Sequence, residues 1–408
     1  MSSTADLEQT ADGRACKAQT RMLIPLVLRR HGQSIAAGYG RAMAALVGIL
    51  ACLTVASCAP AGVGHVPLET PRAYPTEPRP STLAVVVYRA PVFQFFGPDG
   101  SLLEERPADG MESPRAGTAQ VVGSSVYYLD SHRHVVRRVT AKGSQDLDLT
   151  MHPGLSSFLM SSDGAQLAWA TAEFGEAIVS ELWMAHLDGS NPRLVERSDP
   201  SRPELTSFVL QPYRWTADGD LVYAWQPIGL GGYVLFEGYA SFYRYSPPAS
   251  RTTPILPVTV LTPGTCWNAL SQNLVLAAGT CGGAQDPISM RLLTLGTGSE
   301  VVVPVVAEQG IAGSAAFSPD GQRLAYAVAR NNPENEAGQV LLVDLAPGSQ
   351  PISLASTPGG YYHHLAWLDD NRLVAGASLG GVDRVVLLTL GSGELPLAEG
   401  LLVGLQIP

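Results

Sequence analysis

An apolar strand opens in a similar way seven times along this chain, at Leu83, Val126, Leu167, Leu221, Leu274, Leu324 and Leu373, at intervals of about 40 to 55 residues. A supersecondary unit recurring at that period cannot bury its own apolar face and must stack on copies of itself, which restricts the fold to a solenoid or a radial array. The clearest copy runs Phe317-Ser318-Pro319-Asp320-Gly321-Gln322-Arg323-Leu324-Ala325-Tyr326. It reads as strand, tight turn, strand, because Pro319 presets φ while Asp320 and Gly321 tolerate the turn.

Third strands follow at Leu182 to Ala185, Phe242 to Tyr245, Leu292 to Leu295, Leu341 to Val343 and Val385 to Leu388, and shorter fourth strands come after Gly-rich turns. Charged residues make up only 15% of the chain while Gly (42) and Pro (31) are plentiful, as in an all-β protein with many turns. Four antiparallel strands per unit predict a seven-bladed β-propeller, in which radial repetition protects the sheet edges. The first unit lacks an innermost strand before Leu83, and Leu401 to Ile407 has no unit of its own, so this final segment is expected to complete the first blade. Six blades are the alternative if a terminal piece packs elsewhere.

Ahead of the repeats, residues 42 to 56 form an uncharged apolar stretch preceded by Arg29, Arg30 and Arg41, the pattern of a signal-peptide core with a basic flank. At 15 residues it falls short of the ~20 needed to span a bilayer. The polar region before it is long for a signal peptide, and Met22 is a second candidate start. The core runs into Val55-Ala56-Ser57-Cys58, which resembles the lipobox of bacterial lipoproteins. That resemblance implies cleavage before Cys58, a diacylglycerol on its thiol, and an extracytoplasmic protein anchored to the cell membrane or outer membrane. Six prolines between Ala59 and Thr82 then read as an extended spacer. The expected organisation is a signal peptide over residues 1–57, a Pro-rich tether over 58–82 and a propeller over 83–408. Without residues 1–57 the chain keeps 20 basic and 33 acidic residues, net −13, which repels nucleic acid and anionic lipid surfaces. Membrane attachment is therefore expected through the acylated Cys58 alone.

The repeat text at Ser318 to Tyr326 and Ser161 to Trp169, with the outer-hairpin text Leu182 to Leu194, is similar to the WD40-like repeats of TolB-type propellers. The resemblance spans about residues 83 to 407. It implies the fold and an extracytoplasmic binding role; the separate N-terminal domain of TolB and the hydrolase domain of prolyl oligopeptidase relatives have no counterpart in the text.

In such blades the tight hairpins gather on one face and the long loops on the other, and loops on a rigid scaffold usually carry recognition. The long loops are expected at Gln226 to Ala240, Thr280 to Pro287, Arg330 to Gly338 and Pro358 to His364. Within them, Tyr233, Phe236 and Tyr239 offer an adaptable aromatic surface, or else a hairpin packed on its own blade. Tyr361, Tyr362, His363 and His364 precede the innermost strand of their blade. Strict alternation would turn at most one His and one Tyr to the channel, as a polar lining. No third ligand at a telling spacing joins them, so neither a metal nor a cofactor is expected. His132 and His134 read as surface residues. Asp163, Asp218 and Asp320 recur at equivalent turns, so turn chemistry explains them better than paired acid and base. Cys266 and Cys281 are expected several residues out of register, against a disulfide. No nucleophile elbow, zinc helix or phosphate-cradling motif occurs. The expected activity is binding or scaffolding of an envelope protein or peptide, with a propeller enzyme (a lactonase or glycan-acting hydrolase, its site in the channel) as the alternative.

Overall fold

A computed structural model describes residues 84–111, 117–130, 132–133, 135–147, 154–175, 178–198, 208–228, 238–256, 265–281, 289–304, 310–330 and 337–406. The lipobox, the spacer, Leu83, His134, Tyr233, Phe236 and Ile407 lie outside them. The described residues form seven four-stranded antiparallel sheets and contain no helix.

Blade 1 joins β1 (Ala84–Arg89), β2 (Val92–Phe96) and β3 (Leu102–Pro107) to the last strand, β28 (Leu401–Gln406). Blade 2 holds β4 (Ala119–Val122), β5 (Ser125–Asp130), β6 (Val135–Thr140) and β7 (Gly143–Asp146). Blade 3 holds β8 (Leu155–Met160), β9 (Gln166–Glu173), β10 (Val179–His186) and β11 (Arg193–Arg197). Blade 4 holds β12 (Phe208–Trp215), β13 (Leu221–Pro227), β14 (Ser241–Ser246) and β15 (Arg251–Leu256). Blade 5 holds β16 (Thr265–Leu270), β17 (Leu276–Cys281), β18 (Ser289–Thr294) and β19 (Ser299–Val302). Blade 6 holds β20 (Ile311–Phe317), β21 (Arg323–Ala329), β22 (Ala337–Asp344) and β23 (Ile352–Pro358), and blade 7 holds β24 (Gly360–Trp367), β25 (Arg372–Leu379), β26 (Val382–Thr389) and β27 (Gly393–Glu399).

The second strand of each blade has both faces covered, which is why it reads as a continuous apolar run. In β1, Val86 and Tyr88 pack with Val126 and Tyr128 of blade 2, while Val85 and Val87 pack with Val374, Val385 and Leu387 of blade 7. The same alternation sends Leu167 and Trp169 of β9 toward blade 2 and Ala168 and Ala170 toward blade 4. Seven apolar clusters result, each shared by two neighbouring blades. The core is thus a set of seven interfaces, and burying each Val, Leu or Phe in them contributes about 1.5–3 kcal/mol. The cluster between blades 7 and 1 closes the circle. It is completed by β28, which pairs β1 from Ala84↔Gln406 to Tyr88↔Leu401, as expected from the sequence.

In blades 3, 5 and 6 the hairpins between first and second strands repeat one hydrogen-bond pattern. In blade 6 the Ser318 hydroxyl donates to Asp320 Oδ1 (2.5 Å) and accepts from Arg323 N (2.9 Å), Asp320 Oδ1 also accepts from Gln322 N (3.0 Å), and Gly321 N donates to Ser318 O (2.9 Å). Ser161, Asp163 and Gly164 of blade 3 repeat it, and the two bonds from Ser161 and Ala165 hold the Asp163 carboxyl below its usual range. Turn chemistry therefore accounts for Asp163 and Asp320, whereas Asp218 pairs with Arg244 at 3.3 Å. Blade 5 carries the same pattern with Asn273 and Leu274 in place of Asp and Gly. Leu274 sits at φ 57° in the turn, so it does not open the strand; β17 begins at Leu276.

Two further expectations need correction. Pro358 to His364 is no long loop, because β23 ends at Pro358 and β24 begins at Gly360. Cys266 pairs with Thr280 and Cys281 with Thr265, an offset of one residue between adjacent strands and not several.

Candidate functional site: the central channel

The first strands of successive blades approach one another around the axis and present their free edges to it. Six of the seven carry one extra residue relative to the second strand. The extra residue falls at Ser156 in β8, Tyr213 in β12, Asn268 in β16 and Val403 in β28. In β20 Ser314 and Ala315 oppose one residue of β21, and in β24 His364 and Leu365 oppose one residue of β25. Only β4 pairs without a shift. A bulge breaks the regular alternation and re-aims a side chain, so Ser156 and His364 are exposed although they belong to innermost strands. Ser314 and His364 take φ of 46° and 50°, a region in which a side chain is strained.

The bulge in β24 changes the outcome for Tyr361 to His364. Tyr362 is fully buried between blades 6 and 7, with its hydroxyl donating to Glu394 Oε2 at 2.8 Å, so it does not line the channel. Tyr361 is partly buried, its ring centred 5.8 Å from that of His363. His363 and His364, which alternation would have turned apart, meet edge to face with their Nδ1 atoms 2.7 Å apart; one Nδ1 donates and the other accepts. His363 lies on Gly376, where a Cβ would stand 2.7 Å from its Cε1, so the pair needs glycine in the neighbouring strand. Burial, helped by His364, pushes the His363 imidazole down to about 4. Although its surface reaches solvent, the surrounding channel wall sheds enough water from His364 to lower it as well, against the pull of Asp383. Both rings are neutral at neutral pH.

Tyr239 belongs to the wall rather than to a recognition loop. Its backbone exchanges two 2.7 Å hydrogen bonds with Trp267 of β16, and its ring packs against Tyr213 and Phe242 at 5.3 and 5.2 Å, stitching blade 4 to blade 5. His132 is exposed, as expected. Among the described residues no three His, Cys, Asp or Glu side chains converge to hold a metal.

Side chains also cap the free edges from blade to blade. Gln120 accepts from Met160 N (2.7 Å) and donates to Met160 O (3.2 Å). The Tyr213 hydroxyl accepts from Leu270 N (3.3 Å), while Arg214 donates to the carbonyls of Leu270 (3.2 Å) and Ser271 (2.5 Å). On the tight-turn side the channel opens into a cavity of about 420 Å³, bounded by Tyr213 to Ala217, Ala269, Leu270, Gln272, Ala315 to Ser318 and Leu365. Alanines in the first strands of blades 5 and 6 leave this space. The long loops expected to carry recognition lie on the opposite face, and Arg214 shows in the sequence only as an arginine between Tyr213 and Trp215 in a first strand. A groove of about 500 Å³ between blades 3 and 4 is rimmed by Arg193 and Asp218, which are bonded to Pro247 O and Arg244.

No family model and no curated protein matches this chain in sequence. Solved structures do match it in shape. An oligogalacturonate lyase in complex with manganese superposes with a TM-score of 0.52 at 9% identity, over 74% of this chain and 83% of that one. TolB from Acinetobacter baumannii is similar at a TM-score of 0.41 and 14% identity, over 68% of this chain and 64% of its own. An acylaminoacyl peptidase from Pyrococcus horikoshii matches at 0.47 and 9%, over 75% of this chain and 47% of its own. At these identities the likeness concerns the fold alone.

Proposed function

We propose that this chain is a lipid-anchored, extracytoplasmic propeller that binds a protein or peptide of the cell envelope in its central channel. The observation that carries the reading is the set of first-strand bulges, which interrupt the innermost strands of a rigid ring at Ser156, Asn268, Ser314 and His364. Strained residues held by a rigid frame are a recurrent mark of binding sites. The anchor rests on Val55-Ala56-Ser57-Cys58 following an uncharged core, with a Pro-rich spacer behind it.

Proximity labelling from the anchored protein tests the channel when compared with Ser156→Trp, which plugs it. A partner set lost in the variant supports the reading, and one that ignores the plug overturns it. The anchor is tested by fatty-acid labelling, which Cys58→Ala should abolish; incorporation unaffected by the change overturns that assignment.

The alternative of a channel enzyme acting on a lactone or glycan draws on the His363–His364 pair. A neutral imidazole open to the channel is in the protonation state of a general base. Turnover across a panel of lactones and oligosaccharides, lost in His364→Ala, would favour it over the scaffold.

A further inference from the structure

We propose that the cavity beside Arg214 is a binding site for a monocarboxylate carried on an apolar or aromatic tail. The inference goes beyond the envelope-partner reading, because the cavity takes such an acid whether or not it is the end of a polypeptide.

Arg214 is the one cation among the residues lining the cavity, and no carboxylate lines it. Among the described residues the guanidinium has no ion-pair partner; its bonds go to the carbonyls of Leu270 and Ser271. Those carbonyls use two of the five N–H donors that a guanidinium offers. Two neutral acceptors offset only part of the cost of taking a cation out of water, and burial accordingly lowers the Arg214 pKa. An entering carboxylate supplies the missing charge through short charge-assisted hydrogen bonds, which are about twice as strong as neutral ones.

The rest of the wall suits a tail. Tyr213, Trp215, Phe317 and Leu365 surround the space, with Ala269 and Ala315 giving it depth. Its volume, about 420 Å³, lies within the roughly 300–1,000 Å³ of small-ligand sites. A phosphate dianion finds only a single cation here and no second donor of positive charge among the lining residues. The two carbonyls fix the guanidinium against blade 5, so the site needs little ordering when the acid arrives.

Isothermal titration of the full chain with N-acetylphenylalanine, N-acetylphenylalaninamide, phenylacetate and inorganic phosphate tests the site. The expected result is saturable binding of the acids, with the amide and phosphate at least about tenfold weaker, since losing a charged hydrogen bond costs that much or more. Arg214→Gln should weaken acid binding by about tenfold or more. Ala315→Leu, which fills the space and leaves Arg214 untouched, should abolish it, and this variant keeps the test decisive if Arg214→Gln folds poorly. Preference for N-acetylphenylalanine over phenylacetate identifies a peptide C-terminus as the source of the carboxylate, and equal binding identifies a free small acid. Equal affinity for acid and amide, tighter binding of phosphate, or indifference to both variants would overturn the assignment. Partner labelling that survives Arg214→Gln leaves the envelope reading standing by itself.

Discussion

The tight turns on one face and the first strands behind them draw on the same short list of residues, yet they reach left-handed backbone for opposite reasons. At Leu274 the surrounding bonds are complete: Ser271 and Asn273 reproduce, atom for atom, the pattern that Ser318 and Asp320 make around Gly321. Local chemistry dictates the geometry there, and leucine accepts φ 57° because its neighbours demand it. At Ser314 and His364 no such local pattern exists. Their conformation belongs to bulges, which six otherwise unlike first strands carry, so the requirement comes from closing the ring. Blade 2, whose β4 is the shortest of these strands and unbulged, reaches its neighbour with the Gln120 amide instead.

That contrast breaks most visibly when the ring is opened. A chain ending at Gly400 loses β28 and with it one edge of β1; a loss of unfolding free energy on the order of 4–5 kcal/mol is expected. Hydrogen exchange should then rise in the first strands while the turn amides of Ser318 to Arg323 keep more of their protection. Equal loss in both regions would mean that the turns also depend on closure.

Ser318→Ala tests the local side. It strips the acceptor from Arg323 N and the donor from Asp320, and about 2 kcal/mol of destabilisation is expected in chemical denaturation. Ser314→Ala, in the bulge, should change stability by less than about 0.5 kcal/mol. Similar values for the two serines would erase the distinction.

Acid separates the regions by pH. His363 holds its proton only below about 4 when folded, against about 6.5 when unfolded. Between those values the unfolded chain takes up a proton that the folded chain refuses, so stability falls as pH drops from about 6.5 to about 4. His364, lowered by partial desolvation against the channel wall, acts in the same direction. His363→Gln should flatten this window by about 1–2 kcal/mol, a figure already reduced for water in the channel. Asp163, held below its usual range by Ser161, contributes stability that is present above about 4 and is lost only as pH falls through its lower folded value. Denaturation curves at pH 7, 5 and 3 would resolve the two windows; a His363→Gln curve parallel to that of the parent chain would refute the assignment.

A gain is expected at Leu274→Gly, which should stabilise blade 5 by about 1 kcal/mol by relieving the left-handed strain. A loss on this substitution would show that the leucine side chain, packed against the cluster between blades 4 and 5, outweighs the strain.

The blades were legible because a strand covered on both faces must be apolar at every position, and Leu83 to Tyr88 or Leu324 to Val328 leave no other reading. The hairpins were legible through Ser-x-Asp-Gly, and completion of blade 1 by Leu401 to Ile407 through counting strands. Leu274 reads as a strand opener through its hydrophobicity alone; Ser271 and Asn273 ahead of it carry the turn signal. The bulges left no mark in the text, since an extra residue in one strand shows only in its pairing with another. Alternation alone therefore sends His363 and His364 to opposite sides. Cys266 and Cys281 read as several residues out of register, whereas their strands pair with an offset of one. Arg214 was invisible for a related reason: its role comes from the alanines of blades 5 and 6, more than fifty residues away.

Ala84 and Gln406 are directly paired across β1 and β28, at the rim where the other six blades carry a covalent hairpin. In blade 2 the same step is made by only Gly123 and Ser124. The seam is thus a hairpin lacking its turn, and the ring has no privileged starting blade. A short linker from 406 to 84, with new ends cut into the hairpin between β26 and β27, should yield a circular permutant that folds to the same ring. The linker would also spare the loop entropy of bringing two distant strands together.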